Sequence, residues 1–432
     1  MPRRPTSRPR RARVVAAAVI AACLTLLGAC AGPAVPTSTS SEAPAPTAPP
    51  PSPTATGPDP STVATAVDAL LARRDAALAS ADAAAFAATV ADPTTPEGRR
   101  QVASFRAARA LRATGVAHDV VPPVDDPSAV DVTLRYRVAG VDRADRTATV
   151  RYAVQRAGSG WRVVSEAPTG ADAAPPWLAM PGLAVRRGEH AVVAGTAGDE
   201  ALRAAVATVD RALPPLRAVW SGTPRSTLVL VPDTAAEADA LRGTPGPAVG
   251  AVAATTDGPT AADGLATGDR VVLDPDARRR LTATGRDVVL THELVHVAVR
   301  ASRPGTAPVW LAEGYADHVG YARAGLPHRT LAAPLLAAVR AGTAPTALPG
   351  AGDLDPGVTD IEVGYLASWQ AAETVADLVG ESGLRALVRA CTGPGGEEAA
   401  QQRCDAAMPR VLGLDRAALT RRWQQRLAAL AR

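Results

Sequence analysis

The chain has 432 residues, enough for two folded domains once any leader and linker are set aside. Lysine and arginine number 46 against 42 aspartate and glutamate, a formal net charge of +4. With several of those positive charges in the first 13 residues and no basic patch interleaved with aromatics, the composition argues against a nucleic-acid partner.

The N-terminus carries Arg3, Arg4, Arg8, Arg10, Arg11 and Arg13, and then an apolar run from Val14 to Leu27. That run has the length of a signal-peptide core and falls short of the roughly 20 apolar residues of a stable membrane span. Leu27-Gly28-Ala29-Cys30 follows and resembles a bacterial lipobox. The resemblance implies cleavage before Cys30, lipidation of Cys30, and an extracytoplasmic protein anchored to the membrane. An ordinary cleaved signal and an uncleaved anchor are the other readings. Residues 31–60 are mostly Pro, Ser, Thr and Ala, a composition that cannot bury enough surface to offset its ordering entropy. They read as a semi-extended tether.

Residues 61–173 form the first expected domain. Val63, Val67, Leu70, Leu71 and Leu78 share one stripe of a helix, and a second helix is expected over Glu97–Thr114. Val130, Val132, Leu134, Tyr136 and Val138 alternate with polar residues, as half-buried strands do. A second alternating stretch, 147–155, turns at Gly158-Ser159-Gly160 into Trp161-Arg162-Val163-Val164. Helices followed by an antiparallel sheet ending in this strand resemble the cone-shaped NTF2-like fold. His118, alone among these elements, is expected to be structural or solvated and carries no assigned chemistry.

Residues 174–432 form the second expected domain, opening at Ala174-Pro175-Pro176-Trp177. Strands are expected at 191–193, 226–231, 248–254 and 270–273, with helices at 200–213 and 235–241. Pro214-Pro215 should stop the first of these helices. A further helix is expected over Arg286–Arg300, with Asp287 or Thr291 near its start but no sharp cap. Beyond Pro308 the pattern is mostly helical. Strands first and helices afterwards give an α+β class. Of the four cysteines, Cys23 lies in the leader and Cys30 is the lipid acceptor. In an exported chain this leaves Cys391 and Cys404 as a disulfide worth about 3 kcal/mol, the alternative being two free thiols.

The stretch that carries chemistry is His292-Glu293-Leu294-Val295-His296. On a helix the two histidines share a face and can address one ion, while the glutamate between them can serve as a general base. The surrounding residues, from Val288 to Val299, are strongly apolar. Three ionisable groups on such a helix are costly to bury unless paired or bound to metal.

Together with Pro308-Val309-Trp310-Leu311-Ala312-Glu313-Gly314-Tyr315-Ala316, this stretch resembles the gluzincin metallopeptidases, the thermolysin-like and aminopeptidase-N-like clan. The resemblance implies zinc held by His292, His296 and Glu313, Glu293 as the catalytic base, and a peptide or protein substrate. It also implies that Asp317 steadies a ligating histidine and that Tyr365 is a catalytic donor to the oxyanion, though a merely packed tyrosine is the competing reading. The zincin-like body would combine a small mixed sheet with a mostly helical C-terminal part. His318 is expected at the surface or lining the substrate site. The exopeptidase signature Gly-x-Met-Glu-Asn is missing, since Gly250-Ala251-Val252-Ala253-Ala254 in that place carries no acid. A non-catalytic envelope protein and a zinc amidase acting on cell-wall material remain alternatives.

Overall fold

The computed structural model describes residues 16–17, 60–121, 126–243, 254–355 and 357–432. Cys30 and the tether lie outside them, as does the strand expected over Ala248–Ala254 except for its last residue. Of the leader, only the backbone pair Ala16–Ala17 (β1) is described. Among the described residues no helix is long and apolar enough to cross a membrane.

Among the described residues the chain is α+β with two small sheets. Helices α1 (Pro60–Ser80), α2 (Ala83–Ala87) and α3 (Pro96–Leu111) come first. The expected stripe of α1, Val63 to Leu78, is buried. Helix α3 ends at Leu111, short of the expected Thr114, because Arg112 turns left-handed with φ 59° and releases the chain into a strand. That strand, β2 (Ala113–Val120), pairs in an antiparallel meander with β3 (Val130–Val138), β4 (Arg146–Ala157) and β5 (Gly160–Thr169). Along β3 the burial alternates as the sequence pattern requires.

The second sheet follows α4 (Pro176–Ala179). It contains β6 (Ala184–Arg187), β7 (Ala191–Gly195), β8 (Thr227–Val231), β9 (Ala254–Asp257) and β10 (Arg270–Leu273), in the order β1-β9-β10-β8-β7-β6. β7, β8 and β10 run parallel, linked by α5 (Asp199–Val219) and α6 (Ala235–Arg242), and β9 is antiparallel to β10. All five residues of β8 are buried, because both faces of this sheet are covered, which is the condition under which strands read as continuous apolar runs. Val193, Val229, Val231 and Val271 face a core shared with the later helices. Val192, Ala194, Leu228, Leu230 and Val272 belong to the core of the N-terminal elements, with Trp177 and Met180.

A buried ion pair crosses the same seam: Arg270 Nη2 donates to Asp142 Oδ2 at 2.8 Å, and both side chains are almost wholly enclosed. Burial drives the Arg270 guanidinium below its ordinary value. The loop between β9 and β10 is held there too, with Arg143 N donating to Thr267 O at 2.7 Å and Arg146 Nη1 to Gly268 O at 2.9 Å.

Helix α5 runs through Pro214-Pro215 instead of stopping at Leu213. Leu213 and Leu216, on either side of the prolines, are both buried, so packing outweighs the lost backbone bonds. After α7 (Pro275–Arg280), α8 (Ala283–Ser302) and α9 (Val309–Tyr321) pack on one another. They are backed by α10 (His328–Leu331), α11 (Ala333–Ala341), α12 (Ile361–Cys391), α13 (Glu397–Leu412) and α14 (Arg416–Ala431). Helix α12 is interrupted at Gly380, which has φ 71°. Cys391 and Cys404 form a disulfide.

Candidate metal centre

Helix α8 begins at Thr282, whose hydroxyl accepts from Gly285 N at 3.0 Å. Neither residue considered from the sequence caps it. Asp287 instead pairs with Arg211 of α5 at 2.6 Å, and Thr291 donates its hydroxyl to Asp287 O at 2.7 Å. From Val288 to Ala298 every residue is buried, so His292, Glu293 and His296 face the protein interior.

The three residues expected from the sequence to hold a metal are brought together. One donor atom each from His292, His296 and Glu313 lies within 4.8 Å of the others, all three residues being buried. His292 Nε2 stands 3.1 Å from Glu313 Oε2 and 3.0 Å from His296 Nε2, and His296 Nε2 is 3.4 Å from Glu313 Oε2. Ligands around one tetrahedral zinc, each roughly 2.0 Å from the ion, are separated by about 3.3 Å. Protonation argues the same way. His292 Nδ1 donates to Asp317 Oδ1 at 2.7 Å, so that once the ring is neutral the lone pair falls on Nε2. Nε2 faces the His296 nitrogen and the Glu313 oxygen, an arrangement suited to a shared cation.

Electrostatics reinforce this geometry. Burial opposes charge on His292, yet Asp317 and Glu313 outweigh it and hold the imidazolium well above its usual range. Burial alone would raise Glu313, but His296 and then the bond to His292 hold it down to about 2. Burial raises Asp317 despite the pull of His292.

Glu293 is fully enclosed, and burial raises its carboxyl above the usual range, only partly offset by His292 and His296. Thr256 donates its hydroxyl to Glu293 Oε2 at 2.6 Å, while Oε1 is buried without a hydrogen-bond partner. A carboxylate with one oxygen held and the other unpaired is set to exchange a proton through the second. No sequence pattern marks Thr256. It becomes visible only from the register of β9, where Thr256 lies opposite Val271.

Tyr365 is buried near the start of α12, the helix that packs on α9. Packing is tight there: a Cβ on Gly314 would lie 2.2 Å from Ser368 O. His318 does not sit at the surface. It is buried, its Nδ1 2.9 Å from Glu373 Oε1 and its Nε2 2.7 Å from Glu381 Oε1. Carboxylates only accept, so these contacts favour a doubly protonated ring, and Glu373 and Glu381 raise its pKa against the effect of burial.

Among the N-terminal elements His118 is held by two side chains. Its Nδ1 is 2.6 Å from Asp75 Oδ1, and its Nε2 is 2.8 Å from Tyr152 Oη. The adjoining cavity, near the buried Arg74–Glu166 pair, has a volume of about 30 Å³, room for one or two waters rather than a ligand. Compared with known protein families, with curated proteins and with solved structures, the chain gives no match.

Proposed function

We propose that this protein is a zinc metallopeptidase of gluzincin type, exported and anchored through Cys30, whose N-terminal domain of NTF2-like form carries no chemistry of its own. The observation that carries this reading is the convergence of His292, His296 and Glu313 on one point beside a buried carboxylate with a free oxygen. Zinc bound by these three residues supplies a Lewis acid that polarises the scissile carbonyl and makes water acidic near neutral pH.

The chain's own residues do the rest. Glu293 accepts the proton of the attacking water at Oε1, since Thr256 occupies Oε2. Its raised pKa makes it a stronger base than an exposed glutamate and a competent donor afterwards. The same oxygen then delivers the proton to the leaving amine. Asp317, by holding Nδ1 of His292, fixes which ring nitrogen faces the cation. Tyr365 is the proposed hydrogen-bond donor to the oxyanion.

One observation favours a non-catalytic reading. His292 and Glu293 are both 0% exposed, so a peptide bond reaches Glu293 only if the surroundings open. Bound zinc and cleavage of a peptide library, measured for wild type and Glu293→Gln, separate the two. Catalysis requires zinc in both proteins and a fall in cleavage of about 10²–10⁴-fold in the variant, the usual worth of a general base. Zinc in both proteins with no cleavage by either would leave a structural metal site. A wild type without zinc would remove the site itself. A zinc amidase would retain zinc and Glu293 dependence but cleave wall material rather than peptides.

A further inference from the structure

The two ligand helices are joined by residues 303–308, and this connection is stitched to a distant segment. Thr306 N donates to Gly393 O at 2.9 Å, and Gly393 N donates to Thr306 O at 3.1 Å. Gly305 has φ +82°, and a Cβ there would lie 1.9 Å from Gly393 O, so the two backbones touch. Arg403 ties the contact together. Its guanidinium donates to Gly393 O at 2.8 Å, Thr306 O at 3.0 Å and Cys391 O at 3.2 Å, and also to Pro394 O.

Helix α9 begins at Val309 behind Pro308, which offers no side-chain cap. The cap comes from the same distant segment: Val309 N donates to both carboxylate oxygens of Glu397, at 3.2 Å each. A carboxylate at this end also complements the positive pole of the helix dipole. Glu313, the third ligand, lies four residues further along, one turn into α9. Every one of these contacts arises between Cys391 and Cys404, whose disulfide closes the segment and whose side chains are fully buried.

We propose that the disulfide-closed segment 391–404 is a brace for Glu313, so that oxidation of Cys391 and Cys404 determines how firmly the site holds zinc. The inference rests on the zinc reading of the site. Closing the bridge joins the two sulfurs and removes two protons and two electrons from the thiols. The electrons pass to a disulfide of a thiol–disulfide oxidant, which is reduced to its dithiol. A tight site is therefore assembled only where such an oxidant is present, outside the reducing cytoplasm. Glu397 and Arg403 act as positioning residues, since they reach the metal site only through the backbone of 305–309.

The test follows zinc release from the whole chain to a chromophoric chelator, with folding monitored by circular dichroism. Wild type, Glu397→Ala, Glu397→Gln and the double variant Cys391→Ala/Cys404→Val are compared at equal zinc loading. The brace requires release about 10–100-fold faster in Glu397→Ala and in the double variant, the range seen when supporting residues of a metal site are lost. Glu397→Gln keeps an acceptor for Val309 N and should release zinc close to the wild-type rate. Wild-type release from Glu397→Ala overturns the proposal whatever the double variant does. Wild-type release from a folded double variant overturns the role of the bridge. A wild type that carries no zinc defeats the metal reading instead, a result that the other outcomes do not resemble.

Discussion

His292 has both ring nitrogens committed, Nδ1 to Asp317 and Nε2 to the shared ligand point. Replacing Asp317 with alanine releases the ring and should weaken zinc binding by about 10–100-fold, measurable by competition with a chelator; equal affinity would mean that the ring is held by packing alone. In the metal-free site Asp317 and Glu313 favour the imidazolium, whereas zinc requires a neutral ring. Zinc entry at neutral pH should then expel a proton. Titration calorimetry in two buffers of different ionisation enthalpy should give two different apparent enthalpies, and identical values would refute proton release. The sign follows: affinity is lost as pH falls below the raised His292 value and recovers above it. His292, Glu293 and His296 were legible because helical periodicity alone puts two of them on one face. Asp317 was legible through the clan resemblance, one turn after Glu313. Thr256 and Glu397 were not, since each acts across space from an element with no sequential tie to the pattern.

Helices α9 and α12 cross with no room for a side chain at Gly314. Gly314→Ala forces the helices apart and should cost about 1–3 kcal/mol, the usual range for overpacking, seen as a lower urea midpoint; an unmoved midpoint would show that α9 can shift freely. Because Glu313 precedes Gly314 directly, faster zinc release should accompany the lost stability. At this scale the sequence shows its strengths and its limits. Leu228 to Val231 read correctly as a buried strand because an apolar run of that length needs no partner to be recognised. The start of α8 was missed because its cap, Thr282, lies four residues ahead of the expected first turn. The prolines of α5 misled because a local rule for helix breaking takes no account of the core on either side of them.

The N-terminal elements and the second sheet share one core. A fragment starting at residue 174 would uncover Leu228, Leu230 and Val272 and take away Asp142, the partner of Arg270. Within the intact chain, Asp142→Ala isolates that guanidinium and should destabilise the fold by about 3–5 kcal/mol in denaturant titration. A change under 1 kcal/mol would show that water reaches Arg270 freely. Chain length and the proline-marked step at Ala174 lead to an expectation of two bodies, but nothing in the sequence shows that the second sheet would be covered by the N-terminal elements. That depends on which face of β7, β8 and β10 each residue occupies, and in strands that are apolar on both faces the sequence carries no alternation to show it.

His292 and Asp317 are only 25 positions apart, whereas Val309 and its cap Glu397 are separated by 88. A chain emerging from its N-terminus therefore presents the whole ligand set as one helical hairpin well before the brace exists. On the proposed zinc reading, an ion captured by that hairpin alone would exchange rapidly, and the later segment 391–404 would slow its release. On that reading the order of synthesis would separate metal acquisition from metal retention in time.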